Sequence, residues 1–228
     1  MTTEAKANVL PIYFIADEST SMQDDVGELN SGLTSLLDAM HLEGMAAAKV
    51  RMSIIGFSNS SRCYLDMADL RQIETLPTLT SSGSTEYAVA FNELYNRIND
   101  DIPKLKTLGY AVNRPAVFFL TDGQPTDKYA SDWQDPLGRL KDPNFAYRPN
   151  IIAFGIGQGV SPQMILDVAS KPEFAFVTAR GTSTGEAVAN FCTTLVQSVV
   201  SSGQAAASGT PTIDLTKPEG FTMAIDEV

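Results

Sequence analysis

Apolar positions along this chain fall into two rhythms. Continuous apolar runs at Leu10-Pro11-Ile12-Tyr13-Phe14-Ile15-Ala16, Pro115 to Leu120 and Ile151 to Phe154 have the length of strands buried on both faces, and Val50 to Phe57, interrupted by Arg51 and Ser53, reads as the second long strand. Between them, apolar side chains recur three and four residues apart. Val26, Leu29, Leu33, Leu36, Leu37 and Met40 predict a helix that ends near His41 to Gly44. Tyr87, Ala88, Phe91, Leu94, Tyr95 and Ile98 predict another that closes before Pro103. Cys63 to Met67 reads as a short edge strand, Ser161-Pro162 opens a further helix, and Glu173 to Thr178 is the last strand. Val188, Phe191, Leu195, Val196 and Val199 form the apolar face of the final helix, and Gln124 to Asn150 reads as a long connection. Strand and helix in alternation predict a doubly wound α/β fold. Its central sheet is mostly parallel, with one short antiparallel edge strand and helices on both faces.

At 228 residues the chain has room for one large domain with a full core. Residues 1–7 read as an extension, 8–200 as the domain, 201–211 as a flexible small-residue linker and 212–228 as a tail. Ile213, Leu215, Phe221, Met223 and Ile225 alternate in that tail, which predicts either folding back on the domain or docking on a partner.

Asp17-Glu18-Ser19-Thr20-Ser21 follows the first apolar run directly. Such a run alone is as readily a polar turn or a helix cap. Two further elements change the picture. Pro115 to Leu120 runs into Thr121-Asp122-Gly123-Gln124-Pro125, and Ser81-Ser82-Gly83-Ser84-Thr85 opens a helix between them. Two carboxylates with hydroxyls make a hard, all-oxygen set suited to Mg²⁺ or Mn²⁺ rather than zinc or copper. If the strands before Asp17 and Asp122 are neighbours, both carboxylates meet at the point where the connections diverge to opposite faces. The helix N-terminus near Thr85 is expected to aim backbone donors at the same crevice, favouring an anionic partner group.

Asp17, Ser19, Ser21, Thr85 and Asp122 resemble, residue by residue, the metal-ion-dependent adhesion site of von Willebrand factor A domains. The resemblance covers Asn8 to Ser201. Leu10-Pro11-Ile12-Tyr13 and Thr121-Asp122-Gly123-Gln124-Pro125-Thr126-Asp127 look most like the bacterial TerY-type branch linked to tellurite resistance and chemical stress. It implies that the serines and the threonine bind the ion directly and the aspartates directly or through water. An open position would accept an oxygen from a protein partner, often a Glu or Asp. Implied partners are a phosphatase, a protein kinase or another tellurite-resistance protein. The chain departs from the pattern at Thr20, where the family usually has Gly, and Glu18 adds a charge beside the site.

Charge and the remaining chemistry narrow the alternatives. Sixteen basic against 27 acidic residues give a net charge of −11, which disfavours nucleic acid and anionic membrane surfaces as partners. No run approaches the roughly twenty apolar residues of a membrane span, and the start lacks a signal-peptide pattern, so a cytoplasmic protein is expected. Cys63 and Cys192 lie far apart and read as reduced thiols. Gly155-Ile156-Gly157-Gln158-Gly159 reads as a tight connection rather than a dinucleotide loop, and Asp24, Asp25 and Glu28 as complementing a helix N-terminus. Tyr129 and Trp133 read equally as an exposed contact or as packing. His41, at a helix end, is a poor general base. The expectation is a non-enzymatic, metal-dependent protein-interaction module of a bacterial stress system. The alternatives are a metal-dependent phosphoester hydrolase, disfavoured by the lack of a base and of basic phosphate-holding residues, and a scaffold with a vacant metal site.

Overall fold

A computed structural model describes residues 6–209 and 217–227. In chain order the elements are β1 (Lys6–Asp17), α1 (Val26–Leu42), α2 (Gly44–Lys49), β2 (Val50–Phe57), β3 (Ser61–Ala68), α3 (Tyr87–Thr107), β4 (Tyr110–Val112) and β5 (Ala116–Thr121). There follow α4 (Ala130–Lys141), β6 (Asn150–Gly155), α5 (Pro162–Val168), β7 (Ala175–Thr178), α6 (Thr184–Ala207) and β8 (Phe221–Met223). The described strands form one sheet in the order β3-β2-β1-β5-β6-β7-β8, and β4 pairs with the start of β1. Pairing is parallel through the centre, as the unbroken apolar runs require, and antiparallel at both edges.

Successive residues of β1 face opposite ways. Ile12, Phe14 and Ala16 pack with Leu33, Ala47 and Phe191 from α1, α2 and α6. Tyr13 and Ile15 pack with Phe91, Trp133 and Ile165 from α3, α4 and α5. The chain thus leaves β1 towards one face and β5 towards the other. Asp17 pairs with Phe57 of β2, and Ala16 with Leu120 of β5, so the Asp17 and Asp122 turns lie side by side.

Several expectations change. The helix at Tyr87 continues through Pro103 to Thr107, because Ile102 and Leu105 extend its buried stripe past the proline. The stretch read as a long connection contains α4, whose Trp133, Leu137 and Leu140 are buried; Pro136 and the acidic residues around it hide that periodicity. Residues 201–207, read as linker, continue α6. A Cβ on Gly203 would lie 2.8 Å from the Ala46 carbonyl oxygen, so small residues there permit a close helix crossing rather than flexibility. Residues 210–211 of that linker, with Ile213 and Leu215 of the tail, lie outside the described residues.

The end of the tail folds back. Phe221 to Met223 pair antiparallel with Phe176 to Thr178, giving a second antiparallel edge where one was expected. Phe221 is 2% exposed, with its ring 5.6 Å from that of Phe154. Phe221→Ala should therefore cost about 3 kcal/mol in urea denaturation. Wild-type stability in that variant would show that the strand contributes no packing.

Candidate metal centre

β1 ends in a carboxylate at the middle of the sheet, where water does not reach. Asp17 has no exposed surface, and burial pushes its carboxyl up to about 6. Two donors oppose that shift. The Ser19 backbone N–H donates to Asp17 Oδ1 at 2.8 Å, folding the chain back after the strand. The Thr121 hydroxyl, from β5, donates to Oδ2 at 2.7 Å. Thr121 belongs to the motif but has no role assigned from sequence; its place at the end of an apolar strand before Asp122 is the available signal.

A second chain of hydroxyls joins the two turns. Ser21 Oγ donates to Asp122 Oδ1 at 2.8 Å and stands 3.0 Å from Ser19 Oγ. Burial also raises the Asp122 carboxyl, with the Ser21 bond acting against it. Ser19 and Thr85 are buried, Asp122 is half-buried and Ser21 is exposed, so the group opens to solvent on the Ser21 side.

Thr85 arrives through backbone contacts. Its carbonyl accepts from Thr126 N–H at 2.8 Å, and its Oγ1 would lie 3.4 Å from a Cβ placed on Gly123. Thr85 is thereby held against the residue next to Asp122. Gly159 is needed below, because a Cβ there would approach the Asp122 carbonyl oxygen to 2.8 Å.

Two expectations about the surroundings are corrected. Glu18 points away from the carboxylates: it is 7% exposed, and Gly56 leaves it room. Its Oε1 accepts from Tyr64 OH at 2.6 Å and from Thr80 N–H at 2.9 Å, and its backbone carbonyl accepts from Ser82 N–H. Glu18 is thus a latch for the loop that carries Thr85. The N-terminus of α3 is also engaged. Asp127 takes the Tyr87 and Ala88 N–H groups, each at 2.9 Å, so these donors do not face the crevice. Thr20 is accommodated on the surface, where both its N–H and its hydroxyl donate to the Gly83 carbonyl at 3.0 Å.

The floor is aromatic. Tyr87 OH lies 3.0 Å from the Gly123 carbonyl oxygen and 3.2 Å from Thr121 Oγ1, while its ring contacts Phe57, Phe91, Phe119 and Trp133. Trp133 is therefore core packing, whereas Tyr129 is 58% exposed. His41 Nε2 sits 3.0 Å from the Leu70 carbonyl oxygen and takes no part in the site.

The von Willebrand factor type A domain family matches over residues 12–190. No curated protein matches by sequence. Solved structures share the fold. Proximal thread matrix protein 1 from the mussel byssus is 16% identical with a TM-score of 0.59, over 86% of this chain and 49% of that one. The pilus adhesin SpaC from Lactobacillus rhamnosus GG is 14% identical with a TM-score of 0.65, over 86% of this chain and 30% of that one. A von Willebrand factor type A protein from Catenulispora acidiphila is 12% identical with a TM-score of 0.54, over 85% of this chain and 43% of that one. The chain spans about half the length of these proteins or less.

The raised carboxyl of Asp17 has a measurable consequence. In metal-free protein, a carboxyl whose folded pKa lies above its unfolded value favours folding most below the unfolded value, and that contribution is lost as pH rises through the folded one. Between about 3.8 and about 6, wild type in EDTA should lose of order 3 kcal/mol relative to Asp17→Asn, which does not titrate. Urea denaturation across this window reads the slope whatever the constant offset. Parallel stability curves would exclude Asp17 as the titrating group.

Proposed function

The chain belongs to the von Willebrand factor type A domain family, and from that premise we propose that it is a divalent-metal-dependent protein-interaction module. Asp17, Ser19, Ser21, Thr85 and Asp122 would hold the ion. The observation that carries this reading is the continuous chain of oxygens from Ser19 through Ser21 to Asp122, beside the buried Asp17. Two carboxylates supply charge, and the hydroxyls supply neutral lone pairs. All these donors are Asp, Ser or Thr oxygens, a hard set that favours Mg²⁺ or Mn²⁺.

Such an ion, when bound, offers positive charge and an open position to an incoming oxygen. A carboxylate from the partner suits it. Because Asp127 already takes the first N–H groups of α3, attraction for that carboxylate rests on the ion and not on the helix end. The acidic side chains at the site repel an anion until a cation is present. Phosphoester hydrolysis has less support, since the site holds Asp, Ser and Thr without a base or a phosphate-holding cation.

The bacterial stress setting of TerY type, with a phosphatase, kinase or other tellurite-resistance protein as partner, rests on the two sequence phrases at Leu10 and Thr121 alone. A cytoplasmic location fits a chain in which no described helix is long and apolar enough to cross a membrane.

Mg²⁺ or Mn²⁺ at about a hundred times its dissociation constant should stabilise the protein by ~2.7 kcal/mol. Asp17→Ala and Asp122→Ala should abolish that increment in a thermal melt, and Thr85→Ala, which removes a neutral donor, should reduce it. An equal shift in all four proteins would remove the site from consideration. A pulldown in Mg²⁺ and again in EDTA should give different partner sets. Identical sets would sink the adhesion reading while leaving metal binding intact.

A further inference from the structure

At the end of the sheet opposite Asp17 and Asp122, the segments entering β5 and β6 border a cavity of about 340 Å³ and a smaller one of about 110 Å³. Arg114 and Arg148 line both cavities; Lys106 lines the larger, and Lys141 and Lys171 the smaller. No Asp or Glu lines either. Five of the sixteen basic residues therefore gather in one place on a chain of net charge −11.

Three of these cations have ordinary explanations. Lys106 and Lys141 occupy the last turns of α3 and α4, where a helix end favours positive charge. Lys141 Nζ donates to the Asp167 and Ala169 carbonyls at 2.7 Å each, and Lys171 stands 3.6 Å from Glu173. Arg114 and Arg148 have no such account. Neither side chain makes an ion pair or a hydrogen bond with the described residues.

Their placement is set by the sheet. Ala116 pairs with Asn150 in parallel register, and each arginine lies two residues before its member of that pair. The Asn150 N–H donates to the Pro115 carbonyl at 2.8 Å, tying Arg114-Pro115 to Arg148-Pro149. Both arginines thus lie on the segments that lead into two neighbouring strands, whose backbones run about 4.8 Å apart. Two cations that border the same cavities repel one another, and an anion between them relieves that repulsion. Guanidinium forks match phosphate oxygens two at a time. Asn113, on the wall of the larger cavity, has a buried amide nitrogen without a hydrogen-bond partner, and Phe145 and Tyr147 supply an apolar side. The larger cavity is at the small end of the range for organic ligands.

We infer that Arg114 and Arg148 form an anion site for the diphosphate group of a small molecule, one phosphate to each guanidinium, with the larger cavity open to whatever body that molecule carries. The site is separate from the metal centre and does not depend on it.

Calorimetric titration of the whole chain with ADP, with pyrophosphate and with adenosine tests this. EDTA is present throughout, so that no ion at the metal centre can hold phosphate. Wild type and Asp122→Ala should bind both diphosphates saturably, and an Arg114→Ala, Arg148→Ala double variant should bind about tenfold more weakly or worse. Arg114→Gln, at an exposed position, gives the same reading should the double variant misfold. ADP binding more tightly than pyrophosphate would identify a nucleotide, and equal affinities an inorganic diphosphate; adenosine alone should not bind. The inference is overturned if neither diphosphate binds saturably in the millimolar range, if binding is undiminished without the arginines, or if adenosine binds as well as ADP.

Discussion

A carboxylate at the centre of a sheet must be answered by donors, and the organisation around Asp17 is that answer. Left unpaired, a buried charge of this kind is costly enough to protonate or to unfold its surroundings. The Ser19 N–H meets one oxygen and so turns the chain back at the strand end. The Thr121 hydroxyl meets the other and binds the end of β5 to the end of β1. Both carboxylate turns are thereby joined to the aromatic floor, through Thr121 and Tyr87 to Phe57, Phe119 and Trp133. Asp17, a proposed metal ligand, is thereby coupled to the core packing.

Glu18 does for the Thr85 loop what Thr121 does for Asp17. Its carboxylate is enclosed over Gly56 and takes hydrogen bonds from Tyr64 and Thr80, so it fixes a loop instead of adding charge at the mouth. Thr20 contributes from the surface, with two donors to Gly83. Glu18 and Thr20 thus brace the loop that delivers Thr85.

Much of this was legible in the residues because buried parallel strands announce themselves as apolar runs, and a carboxylate at the end of each run is conspicuous. That β1 and β5 are neighbours entered only as a condition; the structure meets it, and the two carboxylate turns lie side by side as a result. What stayed hidden depends on contacts between distant residues. The orientation of Glu18 is decided by Tyr64, Gly56 and Thr80, and the engagement of the α3 N-terminus by Asp127. Composition also misled where one residue type has two uses. Gly203 and its small neighbours read as linker, yet a tight helix crossing needs the same residues; Pro136 reads as a break, yet α4 carries it within a buried stripe.

The pairing of β8 with β7 also bears on the order in which the protein is made. Of the strands of this sheet β1 comes before the others in the chain, but the outer edge of β7 stays unpaired until residues 221–223 have been added. An apolar edge awaiting its partner is a site for pairing with another chain. Phe154 and Phe176, stacked 5.2 Å apart, lack the Phe221 ring for the same interval, although Phe191 of α6 already packs against Phe154. A chain released before residue 221 would therefore carry a sheet with one unpaired side, open to pairing with a strand of another molecule.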